Sequence, residues 1–140
     1  PITQFMSAPA YFLEASPYIT LTEPAMARDV ISVSTYNAAN NSFYIDSGRG
    51  FTRDNVIAPD FAAPGVDIST LRGRETGSSL AAAITAGAVA QFLQWAVVEK
   101  NNQIVASREI KNYFVRGASR SGELTYPNRE WGESVIIVSS

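Results

Sequence analysis

Apolar positions come in short runs through the first half of the chain and merge into one long run in the second. Arg28 to Tyr36 carries the clearest strand pattern. Val30-Ile31 and then Val33, set among serines, predict a strand covered on both faces. Tyr18 to Thr22, Ser42 to Ile45 and Val66 to Ile68 are shorter strand candidates, and Pro24 ends the first of them. Asn37 to Asn41 reads as a turn, and Ala58 to Gly65, with two prolines and a glycine, as extended and turning backbone. Pro1 to Pro17 is aromatic and punctuated by prolines, which oppose a helix and predict a loop-rich leading segment.

Leu80 to Val98 holds no charged residue and predicts a helix, with Ser78 or Ser79 as its cap and Glu99 to Asn102 as its end. The stretch approaches the length of a membrane span, about 20 apolar residues. Its alanines, Thr85, Gln91 and Gln94, and its place after a series of short strands, point instead to the buried helix of a core. Ser107 to Arg116 predicts a second, amphipathic helix. Ser107 can cap it, Ile110, Tyr113 and Phe114 share a face, and Gly117 stops it. Val135 to Val138 closes the chain as a β-like run. Strands, a buried helix and an amphipathic helix in this order suit an α/β layer fold.

Composition narrows the chemistry. With 46% hydrophobic and 17% charged residues in 140, the chain is globular rather than disordered. A net charge of -2 and the lack of a Lys/Arg cluster argue against nucleic acid. The absence of cysteine excludes disulfides, thiolate zinc sites and a cysteine nucleophile. Histidine is also absent, so this chain alone cannot complete a Ser-His-Asp triad. Asp46, Asp54, Asp60 and Asp67 lack the spacing of a calcium loop and read as solvated or turn carboxylates. Arg49, Arg53, Arg72 and Arg74 are interleaved with acids and read as a mixed surface. Trp95 and Trp131 read as packing residues, and the Gly48-Arg49-Gly50 loop lacks a phosphate-binding pattern. No metal and no cofactor are expected. Pro1-Ile2-Thr3-Gln4 lacks an initiator Met and a signal-like region, so an excised piece of a longer protein is expected.

A serine at the mouth of an apolar helix has two readings. It can be a simple N-cap, the blander reading of the local sequence. It can also be a nucleophile, because the unpaired N–H groups and partial positive charge of a helix start would stabilise an oxyanion formed beside it.

The longer pattern bears on the choice. Thr76-Gly77-Ser78-Ser79-Leu80-Ala81-Ala82-Ala83-Ile84-Thr85-Ala86-Gly87 resembles the nucleophile segment of subtilisin-like serine proteases, Gly-Thr-Ser-(Met/Val)-Ala-(Ala/Ser). Ala58 to Val66 is similar to the family's Lys-Pro-Asp-(Ile/Val)-x-Ala-Pro-Gly-Val element, and Ser47-Gly48-Arg49-Gly50 to its Ser-Ser-Arg-Gly-like loop. Arg28 to Val33 resembles the Asn-Val-Ile-(Ser/Thr)-Val strand, and Trp131 to Val135 the closing Trp-Gly-x-Gly segment. These elements stand in family order over residues 18 to 138. Leu21 to Arg28, the Ala81-to-Gly87 helix start and the Tyr126-to-Gly132 tail are most similar to the clostridial germination-protease (Csp) type.

The resemblance implies part of a three-layer α/β fold with a mainly parallel sheet and a buried helix starting at the nucleophile. It makes Ser79 the nucleophile and Ser78 the counterpart of the family's Thr that supports the oxyanion hole. Asp60 would be a structural, hydrogen-bonded turn carboxylate outside the triad. The catalytic Asp and His and the oxyanion-hole Asn would lie upstream of this chain. Residues 1–17 would be the exit from a jelly-roll insertion, and 18–140 the C-terminal portion of the catalytic domain. Ala83 replaces a common Pro, and Glu133-Ser134 alters the closing turn. The implied partners are a protein or peptide substrate and the N-terminal remainder of the same protease, with no nucleic acid and no membrane. The isolated piece is expected to be inactive and to self-associate through surface its missing half would cover. By resemblance the location is spore-associated or extracellular bacterial. The rival readings are a non-catalytic subtilase-fold scaffold that acts by binding, and an unrelated α/β binding domain in which Ser79 is merely a cap.

Overall fold

A computed structural model describes residues 13–27 and 29–136. Most of the leading segment, Arg28 of the predicted Arg28–Tyr36 strand, and the last residues of the closing run lie outside them. Its central sheet has the order β2-β1-β3, formed by β1 (Val33–Asn37), β2 (Ser42–Phe43) and β3 (Phe61–Pro64). β1 and β3 run parallel, with Val33 opposite Phe61 and Tyr36 opposite Pro64. β2 folds back antiparallel on β1 through the Asn-rich turn. There Asn37 and Asn40 accept hydrogen bonds from backbone N–H groups two residues on, the local turn chemistry that favours asparagine.

Ser134 to Ile136 extends this sheet beyond β3. Ala62 N–H donates to the Ser134 carbonyl and Ile136 N–H to the Ala62 carbonyl, each at 2.9 Å. The closing run therefore joins the sheet through isolated bridges, one of them parallel, rather than as a full strand. No strand forms at Tyr18 to Thr22, where the chain bends and turns instead. The predicted Arg28–Tyr36 strand begins only at Val33. The Ala58–Gly65 segment, read as extended and turning, supplies a fully buried strand in β3.

All four residues of β3 are buried, and Phe61, Ala62 and Ala63 are completely so. Alternate residues of a strand face opposite ways. On one side Phe61 stacks on Phe114 at 6.0 Å. On the other, Tyr36, Ala62 and Trp131 form a core joined by Phe43, with Trp131 5.8 Å from Tyr36 and 5.7 Å from Phe43. Burying a side chain such as Phe61 contributes about 2 kcal/mol. Burial also raises the pKa of Tyr36, whose hydroxyl donates to the Ile136 carbonyl at 2.8 Å and so ties β1 to the closing run.

α1 (Ser78–Leu93) packs on β1 and β3 and continues into a π-helical turn at Gln94–Val98. Ala81, Thr85 and Ala96 are its buried residues, so the expected burial holds along one face only. Ile84, Val89, Phe92 and Leu93 are half-buried, and the remaining face is exposed among the described residues. Trp95 touches Phe92 at 5.7 Å yet stays 43% exposed, a rim residue rather than a core one. α2 (Ser107–Gly117) buries Ile110 and sets Tyr113 and Phe114 against Phe92. Its N-cap is Ala106 rather than Ser107, because the Glu109 carboxylate reaches back to accept the Ala106 N–H at 3.0 Å.

Candidate active site

The route from the sheet to the helix is short and closely tied. After β3, Gly65 donates its N–H to the Tyr36 carbonyl at 3.1 Å and accepts the Gly77 N–H at 2.8 Å. A Cβ on Gly65 would lie 2.7 Å from the Thr35 methyl, 2.8 Å from the Gly77 carbonyl oxygen and 3.1 Å from Ala81. Only glycine admits that approach of strand end and helix start.

Between Gly65 and Gly77 the chain makes an excursion, the hairpin of β4 (Ile68–Thr70) and β5 (Gly73–Glu75). Gly73, at φ 113°, takes a turn conformation that other residues resist. Leu71 at the tip is fully exposed. In sequence Arg72 to Ser79 reads as a polar, glycine-containing lead-in to the helix, with no sign of β5. A strand so short and exposed on every residue leaves no hydrophobic alternation to detect.

α1 opens at Ser78, with Gly77 in the cap position and extended backbone there. Neither serine is therefore the cap: both lie in the first helical turn, one residue further in than expected. No side chain caps the helix, and no acidic residue occupies its first turn. The first-turn N–H groups and the positive end of the helix dipole thus lie beside Ser78 and Ser79 without a built-in anion. Both serines are exposed. Ser78 borders an open groove of about 520 Å³ that is also lined by Thr20, Leu21, Ser47 and Arg49.

The neighbouring loops are fixed to the same frame. Ser47 is buried and its Oγ accepts the Thr35 N–H at 3.0 Å. Gly50 donates to the Arg129 carbonyl at 2.8 Å, and a Cβ on it would collide with the Ala58 carbonyl. Arg49 pairs with Glu130 at 2.9 Å and lies over the Phe43 ring, 4.7 Å from its centre.

Asp60 is the structural carboxylate the sequence suggested. Its Oδ2 accepts the Ser32 N–H at 2.7 Å, and its Oδ1 pairs with Lys111 at 3.0 Å. It thereby fastens the start of β3 to the approach to β1 and to α2. Lys111 had no sequence signal as its partner, since the two are far apart in the chain. Asp67 is paired with Arg74, which holds its carboxyl below the usual carboxylate range. Among the described residues no three acidic side chains gather as a metal site would require.

Residues 16–132 match the Subtilase family, and the chain belongs to it. The fold is similar to the solved structure of the CspB protease of Clostridium perfringens, with a TM-score of 0.83 and 36% identity. That match covers 89% of this chain and 28% of the CspB chain, so the sequence spans little more than a quarter of that protein's length. No curated protein matches the chain.

Proposed function

We propose that this chain is the nucleophile-bearing C-terminal part of a subtilisin-like serine endopeptidase. Ser79 would attack the scissile carbonyl and form the acyl-enzyme, and its own N–H at the helix start would help hold the oxyanion. Ser78 would supply a supporting hydroxyl in place of the family's threonine. Asp and His would come from the upstream part of the protein, as would most of the substrate-binding surface. Residues 1–17 would be the exit from an insertion and 18–140 the end of the catalytic domain. The substrate would be a protein or peptide. The long apolar helix, Ser78–Val98, passes the length and composition test for a membrane span. We take it as a core helix, because its Ala81 face lies on the sheet.

The observation that carries this reading is the exposed Ser79 in the first turn of an uncapped helix, within a chain of the subtilase family. The test is Ser79→Ala in the full-length parent protease. Peptide hydrolysis is expected to fall by about 10³-fold or more while the melting temperature holds. Unchanged hydrolysis in a folded variant contradicts the assignment and favours the reading of Ser79 as a mere part of the helix start. A parent that never hydrolyses peptides favours the non-catalytic scaffold.

A further inference from the structure

Asp67 and Arg74 close the base of the hairpin that leads to Ser79. Arg74 Nη2 donates to Asp67 Oδ2 at 2.6 Å and to the Asp67 carbonyl at 2.7 Å, while Nε donates to Oδ1. The guanidinium thus grips both the carboxylate and the backbone of one residue, a forked geometry that lysine cannot reproduce. Asp67 also donates its N–H to Thr76 Oγ1 at 2.9 Å. Its φ is 57°, a left-handed conformation uncommon for a residue with a side chain. Such conformations persist where the surroundings hold them. Directly beyond lie the Gly77-to-Gly65 bond at 2.8 Å and the helix start. Three tethers therefore converge on residues 65–67 and 74–77, the two strands of chain that set where Ser79 stands.

We propose that Asp67 and Arg74 are positioning residues for the Ser79 nucleophile, a clasp that fixes the register of the turn before the helix. The inference rests on the reading of Ser79 as the nucleophile. Both side chains are more than half exposed, at 59% and 65%, and exposed ion pairs add little to global stability. The clasp is thus suited to local geometry rather than to holding the fold. Misplacing a nucleophile by about 1 Å costs on the order of 10²-fold in rate.

The experiment measures the rate at which a peptidyl phosphonate labels Ser79 in the full-length parent, together with the melting temperature. Arg74→Ala and Asp67→Ala are expected to slow labelling at saturating phosphonate at least tenfold, with the half-saturating concentration and the melting temperature little changed. Arg74→Lys, which keeps the charge and loses the fork, should fall between Arg74→Ala and the wild type. Normal labelling of the variants overturns the clasp and leaves the nucleophile assignment standing. A fall in labelling that merely follows a fall in melting temperature also overturns it. If the wild type is not labelled at Ser79, both readings fail.

Discussion

The Gly77 N–H donates to the Gly65 carbonyl at 2.8 Å, and this bond seats the first turn of α1 against the end of β3. Two residues twelve apart in sequence thereby decide where the serine-bearing turn points. Every residue of the strand behind Gly65 is buried, so the seat is as rigid as the core it grows from.

Replacing Gly65 by alanine tests that seat. The added methyl would sit inside contact distance of Thr35, the Gly77 carbonyl and Ala81 at once. Backbone oxygen cannot yield as a flexible side chain can. The substitution is expected to destabilise the protein by about 2 kcal/mol and to lower activity of the parent further than the stability loss explains. Chemical denaturation beside a peptide assay reads both; a variant with wild-type stability and activity contradicts the account.

Asp60→Ala leaves the Ser32 N–H and the Lys111 ammonium without their acceptor. Hydrogen bonds to charged groups contribute about 2 kcal/mol each, and a loss of that order in unfolding free energy is expected. Lys111→Ala should cost less, since it leaves the Ser32 bond intact. Equal losses for the two variants would show that the ion pair, rather than the backbone bond, is the function of Asp60.

Acid should loosen the hairpin through Asp67. Hydrogen bonding to Arg74 lowers its folded pKa below the unfolded value near 3.8. A carboxyl whose pKa is depressed on folding stabilises the fold above the unfolded pKa, and that contribution disappears as pH falls through the folded one. The effect is therefore confined below about pH 4. A carbon-detected NMR titration should find the Asp67 carboxyl titrating below free aspartate, and Arg74→Ala should return it upward. A titration at the ordinary value in the wild type would refute the pairing.

The sequence made part of this arrangement legible. β1 is legible in Val33 and its apolar neighbours, β3 reads only as extended and turning backbone because two prolines and a glycine mask a four-residue strand, and helix α1 is visible because an uncharged apolar run of that length has few other uses. Its cap was misplaced by one residue, because serine is the better capping residue by preference but here the bond from Gly77 to Gly65 decides the geometry. The Asp67–Arg74 pair went unseen for a different reason. Alternating charges on an exposed segment look the same whether or not they pair. What stayed illegible was long-range: Lys111 on Asp60, and Glu130 on Arg49, are set by the fold rather than by any local pattern.

The uncovered side of α1 gives a prediction about the isolated chain. Of residues 78–98 only Ala81, Thr85 and Ala96 are buried, and Trp95, Val97 and Val98 stand exposed at the far end. Apolar surface of that kind drives association in water. Sedimentation velocity on the isolated 140-residue chain should show dimers or larger species, and a monomer stable to both concentration and dilution would contradict this.

The central claim is that Ser79 carries the acyl group. The most direct measurement is to treat the full-length parent protein with a serine-directed phosphonate, digest it, and locate the adduct by mass spectrometry. The account predicts one modified peptide, beginning in the β5 hairpin and running into α1, with the added mass on Ser79. An adduct on any other residue, or full inhibition with Ser79 unmodified, would contradict it.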